Sequence, residues 1–138
     1  MTLKLPCHVS KFIESLVSMA NEGVEVWLMG SRANGRARPD SDTDLLIFGP
    51  DGFLQSVRAG LNQPADIDCL VVYDGDNYQD PWQDKSGSLS KLQWKRLDER
   101  SATYVGTKWV PDDESATEFN ADMGDLVERD ERAYRMWP

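Results

Sequence analysis

Apolar positions open the chain at helical spacing: Val9, Phe12, Ile13, Leu16, Val17 and Ala20 predict one amphipathic helix, with Ser10 as a candidate cap and Gly23 as its stop. The next run, Val24 to Met29, reads VEVWLM and is β-branched and aromatic enough for a strand, which Gly30 ends. Ser31 to Gly35 is long enough for about one helical turn, and Arg36 to Ser41, with Pro39, reads as a loop. Asp42 to Gly49 predicts a second strand, in which Leu45 to Phe48 are apolar without alternation, as in a strand covered on both faces. After Pro50-Asp51-Gly52, the residues Phe53, Leu54, Val57 and Leu61 predict a short crossover helix. Ala65 to Tyr73, ADIDCLVVY, is a third strand.

Farther on the pattern weakens. Gly75 to Ser90 is polar, carries Pro81 and two glycines, and reads as a loop. Segments of about Leu89 to Leu97 and Ala102 to Val110, joined across Asp98-Glu99-Arg100, predict a hairpin. Ser115-Ala-Thr-Glu118 is a capping-box pattern that predicts a helix bearing Phe119, Met123, Leu126 and Val127 on one face. Strands alternating with helices give an α/β (α+β) fold: a central mixed sheet flanked by helices, with an added C-terminal hairpin and helix at about 89–136. No linker or repeat divides the 138 residues, so a single domain spanning 1–138 is expected.

Composition narrows the partners. The formal net charge of -9 makes nonspecific nucleic-acid binding unfavourable, as it does binding to anionic lipid. The charge is uneven: Asp112 to Glu131 holds nine acids against one arginine, whereas Lys85 to Lys108 holds six basic residues against Asp98 and Glu99. Only the second segment is suited to face a phosphate. Two cysteines, Cys7 and Cys69, are too few for a disulfide scaffold or a zinc pattern and are expected as reduced thiols. No apolar run approaches membrane-spanning length, and MTLKLPCHVSKF lacks the core of a signal peptide, so the cytoplasm is the expected location.

The candidate chemistry lies in Gly30 to Phe48, GSRANGRARPDSDTDLLIF. Residues two apart on a strand share a face, so Asp42 and Asp44 are expected to project together. Paired carboxylates repel unless a cation bridges them, and a hard divalent ion with oxygen ligands, Mg²⁺ or Mn²⁺, relieves that repulsion. An acid from the third strand, Asp68 or Asp66, supplies the third carboxylate that a two-metal phosphoryl-transfer site requires. The Gly30-Ser31 turn offers backbone N–H groups and a hydroxyl to a phosphate, and Arg32, Arg36 and Arg38 are placed to neutralise more phosphate charge. Singly, a DxD pair or a Gly-Ser dipeptide is commonplace. The order and spacing are not: strand, Gly-Ser, eleven positions from Ser31 to Asp42, Asp-x-Asp, strand, then a further acid-bearing strand.

At Gly30-Ser31, Ala33, Gly35 and Ser41-Asp42-Thr43-Asp44-Leu45, with the third-strand acid, the sequence resembles the DNA polymerase beta-like nucleotidyltransferase superfamily. Within it, the likeness is to the minimal nucleotidyltransferase group, over a motif core at about 24–74. The resemblance implies that Asp42, Asp44 and Asp68, with Asp66 as the alternative third acid, are catalytic and bind metal. It implies that Gly30 and Ser31 bind nucleotide phosphates, with Arg32 and Arg38 beside them. Ile67-Asp68-Cys69-Leu70-Val71-Val72 fits the family's apolar-Asp-apolar pattern better than Ala65-Asp66-Ile67. The implied activity is metal-dependent transfer of a nucleoside monophosphate, AMP from ATP, to an acceptor hydroxyl of a protein or small molecule, releasing pyrophosphate.

Two other classes stand beside this one. A nucleotide-binding, antitoxin-like partner module of the same fold, with little turnover, would use an acidic terminal helix to dock on a basic protein partner. A two-metal nuclease would leave the Gly-Ser turn without a role. Among the remaining residues, His8 reads as an exposed or capping residue. Trp94, Tyr104 and Trp109 read as core pairs before base-stacking groups, and Lys91, Lys95, Arg96 and Lys108 as a solvated face before phosphate ligands. Asp74, Asp76 and Asp80 read as loop acids.

Overall fold

A computed structural model describes residues 5–20, 22–111 and 124–138, with side chains described outside 107–127. Helix α1 (Cys7–Ser18) leads to strand β1 (Glu25–Met29), the single turn α2 (Gly30–Ala33), strand β2 (Thr43–Phe48), helix α3 (Phe53–Gly60) and strand β3 (Ile67–Val72). Then come β4 (Asn77–Gln79), β5 (Ser86–Ser88), the turn α4 (Leu89–Leu92), β6 (Lys95–Arg96), β7 (Ser101–Pro111) and β8 (Gly124–Trp137). These eight strands form one mixed sheet in the order β5-β4-β3-β2-β1-β8-β7-β6. The expected α/β architecture is present. β2 and β3 run parallel, as the crossover helix α3 requires, and β1 is antiparallel to β2.

The period of two sorts the sheet into two faces with different covers. Val26, Leu28, Leu45, Ile47, Cys69 and Val71 point to the side where Val9, Ile13 and Leu16 of α1 and Phe53, Leu54 and Val57 of α3 close the main core. Trp27, Met29, Leu46, Val72, Ala102, Tyr104 and Ala133 point the other way, against Leu89, Leu92 and Trp94. Trp94 meets Trp27 edge-on, with ring centroids 5.2 Å apart, and lies along Tyr104 at 6.4 Å, so both act as core aromatics. Among the described residues no long helix covers that second face, and a cleft opens on it.

Several expectations are corrected at the C-terminal end. From Gly124 onward the chain is a strand, so Leu126 and Val127 lie on β8 rather than on a helix. The rest of the predicted helix, Ser115 to Met123, lies outside the described residues. From Glu128 to Ala133 burial alternates, with Glu131 and Ala133 buried and Glu128, Asp130 and Arg132 exposed, a period the charged composition concealed. A buried acid on that face is tolerable because Arg36 and Arg129 neutralise it. The predicted hairpin shrinks to two pairs, Lys95 with Thr103 and Arg96 with Ala102, because Leu89–Leu92 forms α4 and the main partner of β7 is β8. The stretch read as a loop, Gly75 to Ser90, contains the β4–β5 pair. Helix α1 begins at Cys7 after Pro6, which places Ser10 inside it, and ends at Ser18. Among the described residues no helix is long and apolar enough to cross a membrane.

Candidate active site

Asp44 and Asp68 occupy the same level of the sheet, because the parallel register of β2 and β3 pairs them directly. Leu46 and Leu70, two residues on, pack with the cluster on the open face, so the same periodicity brings both carboxylates onto that face. They line a cleft of about 580 Å³ together with Gly30, Tyr78, Lys85 and Tyr104, a size suited to a small ligand. Burial, the neighbouring Asp68 charge and an Asp44 O–H donating to Asp68 push the Asp44 carboxyl up from an ordinary 3.8 to about 7. Two carboxylates this close resist holding two negative charges.

The glycine of the Gly-Ser turn is fixed by geometry. Gly30 has φ +68°, the left-handed region, and a Cβ there would lie 2.1 Å from Asp44 Oδ2. Only a residue without a side chain lets the turn close over that carboxylate. The Gly30 N–H donates to Tyr104 Oη at 2.8 Å, and Asn34 Nδ2 donates to the Gly30 carbonyl at 2.8 Å. Asn34 also exchanges hydrogen bonds with the Arg132 backbone at 3.0 and 2.8 Å, which stitches the turn to β8. Tyr104, Asn34 and β8 therefore hold the Gly30 turn in place. Sequence reasoning assigned none of them this role, since the only signal is the long-range pairing itself.

The other expected residues divide. Asp42 stands one residue before β2, exposed, and its charge reaches Asp44 as one of the influences that raise it. The expectation that Asp42 lies on the strand itself is corrected: the strand starts at Thr43, whose N–H donates to the Asp66 carbonyl. Asp66 precedes β3, is exposed, and meets His8 Nε2 at 2.7 Å, so between the two candidates it is Asp68 that stands beside Asp44. Among the described residues no group of three His, Cys, Asp or Glu side chains converges closely enough to cage an ion; Asp44 and Asp68 line the cleft together, and Asp42 is not part of its lining. The donor set still fits a hard cation, being oxygen-only, mutually repelling and kept free of a side chain at Gly30.

Ser31 follows Gly30 in α2. Arg32 Nη2 donates to the Ser41 carbonyl at 2.6 Å and so ties α2 to the segment before Asp42, while its Nε is buried without a partner. Arg36 is engaged elsewhere, in a two-pronged pair with Glu131 at 2.7 and 3.1 Å. Arg38 is exposed, and its backbone N–H donates to Ser41 Oγ at 2.7 Å. Two cations of the cleft come from elsewhere in the chain: Lys85, with Nζ 3.9 Å from Asp68 Oδ2, and Lys91. Arg96 instead lies over Trp27 and Phe48, 5.2 and 5.1 Å from their ring centroids, and pairs with Glu25. The side chains of Lys108 and Trp109 lie outside those described.

Asp74, Asp76 and Asp80 are loop acids, as read. Asp74 and Asp80 each accept two backbone N–H groups, and Asp76 accepts the Ser90 backbone and hydroxyl. Cys7 is exposed and Cys69 buried, both free, and burial pushes the Cys69 thiol well up.

The family model described as nucleotidyltransferase domain matches residues 9–113, from α1 to just past β7. No curated protein and no solved structure matches the chain.

Proposed function

Because the chain belongs to the nucleotidyltransferase domain family, we propose that its cleft transfers a nucleoside monophosphate, AMP, from ATP to an acceptor hydroxyl. The acceptor oxygen bonds to the α-phosphorus, the bond from that phosphorus to the α–β bridging oxygen breaks, and pyrophosphate leaves. The acceptor proton passes to a carboxylate, for which Asp68 is suited by its place beside Asp44. The observation that carries this reading is the in-register Asp44–Asp68 pair, lining one cleft with Gly30, whose turn closes over Asp44. A carboxylate pair whose repulsion Lys85 offsets only in part destabilises the empty protein and is understandable as a ligand set.

Asp44 and Asp68, with Asp42 just before β2, would hold Mg²⁺ or Mn²⁺, which supplies charge neutralisation for the reacting phosphate when bound. Gly30 and Ser31 orient the phosphates, and Arg32 and Arg38 lie on the same turn and the segment after it. Most of the rate enhancement then comes from positioning and electrostatics, as in phosphoryl transfer generally.

Incubation with α-labelled ATP, Mg²⁺ and lysate, read by mass spectrometry for nucleotidylated products, tests the proposal. Transfer is expected from the native chain and is expected to fall by about 10³-fold in Asp44→Asn, the scale of a lost electrostatic group. Equal product from Asp44→Asn/Asp68→Asn would sink the reading.

A further inference from the structure

Lys85 is delivered to the cleft by a turn more firmly built than a loop of its composition needs. Asp80, 1% exposed, accepts the N–H groups of Trp82 and Gln83 at 2.8 and 3.0 Å, and its own N–H donates to the Lys85 carbonyl at 2.8 Å. From the side of α3, Arg58 Nε donates to the Pro81 carbonyl at 2.8 Å, and Trp82 Nε1 donates to the Leu61 carbonyl at 2.9 Å. A buried carboxylate is costly unless its hydrogen bonds are met, and here meeting them fixes the backbone that carries Lys85. The ammonium ends 3.9 Å from Asp68 Oδ2, with the Lys85 side chain 51% exposed, so it is held near the acids and still open to a ligand.

Lys91 reaches the same cleft from α4, where the Ser88 hydroxyl accepts the Lys91 N–H at 3.1 Å and sets the turn. Two ammonium groups, of Lys85 and Lys91, line the cleft with three carboxylates, those of Asp44, Asp68 and Glu128. A divalent cation on Asp44 and Asp68 would take over their charge and free the Lys85 ammonium from Asp68, with Lys91 in the same pocket, which also opens on the Gly30 turn. The chemistry that meets that demand is a polyphosphate tail.

We propose that Lys85 and Lys91 seat the β- and γ-phosphates of the nucleoside triphosphate. The leaving pyrophosphate is then held by side chains from outside the central Gly-Ser and Asp-x-Asp stretch. This assignment rests on the nucleotidyl-transfer reading of the cleft and extends it to these two positioning residues.

Isothermal titration of the full chain with ATP, AMP and inorganic tripolyphosphate, each with Mg²⁺, tests it. Lys85→Ala and Lys91→Ala are each expected to weaken ATP and tripolyphosphate about tenfold, the effect of one lost charge-assisted hydrogen bond. AMP binding is expected to stay unchanged, and Lys85→Arg is expected to restore part of the loss. Lys11→Ala, on the exposed side of α1, is the control for nonspecific charge. Unchanged ATP affinity in the double variant Lys85→Ala/Lys91→Ala, or an equal loss for AMP and ATP, overturns the proposal while leaving the transfer reading intact. Tripolyphosphate binding that depends on both lysines in a chain that binds no nucleotide supports the seat and removes the transfer reading instead.

Discussion

Two acid centres share the open face of the sheet and are built on opposite principles. At Glu131, 7% exposed at its side chain, Arg36 approaches at 2.7 Å and Arg129 at 3.1 Å, so the charge is compensated by its own protein. At Asp44 the nearest influences after burial are another carboxylate and the hydrogen bond to it, with Lys85 offsetting only part. The first arrangement ties the loop after α2 to β8 and has its ligands already. The second leaves a demand for positive charge that an incoming cation can meet. The contrast separates a structural acid from a candidate catalytic one better than burial does.

Gly30→Ala bears hardest on the comparison, since it forces a methyl group into contact with Asp44 Oδ2 at a positive-φ position. Activity in the transfer assay is expected to fall by about 10²-fold or more, with a loss of about 1–3 kcal/mol in urea unfolding. Near-native turnover in Gly30→Ala would show that the turn and the carboxylate need not approach so closely.

Glu131→Gln and Asp44→Asn then probe the two centres with the same kind of change and opposite expected signs. Glu131→Gln strands two arginines, and a broken buried pair costs about 3–5 kcal/mol; with both arginines about one-third exposed, about 2 kcal/mol is expected, or roughly 5–10 °C in melting temperature. Asp44→Asn is expected to raise the melting temperature of the protein in EDTA at pH 8 by a few degrees, because it removes a buried repulsion. If both variants melt lower than the native chain at that pH, the distinction between the centres fails.

The smallest effect is the pH dependence of that gain. The Asp44 pKa is raised on folding from 3.8 to about 7, so between those values the folded state holds a proton that the unfolded state has lost. Stability from this group is fully present below about pH 4, declines as pH rises, and is lost above about pH 7. The advantage of Asp44→Asn should therefore be full at pH 8 and vanish towards pH 4. Melting curves in EDTA across that range check the sign.

How far the chain could be read tracks how local each signal is. α1, β1, β2, α3 and β3 were legible because each carries its own apolar period or run. β8 was not, because its inward residues include Glu131, whose burial depends on Arg36, 95 positions away. An acid-rich segment with Phe119, Met123, Leu126 and Val127 at helical spacing points to a helix when its partners are unseen.

The sequence by itself singled out Gly30-Ser31, Asp42 and Asp44 as candidates, since those residues lie within one stretch whose order and spacing are local. Only the tertiary structure set Asp68, rather than Asp66, beside Asp44, through the parallel register of β2 with β3. Only it engaged Arg36 with Glu131, hung Gly30 on Tyr104, and brought Lys85 and Lys91 to the acids. The physical reason is the same in each case. Register, ion pairing and cleft lining are relations between distant segments, and a local pattern carries no information about which distant group arrives.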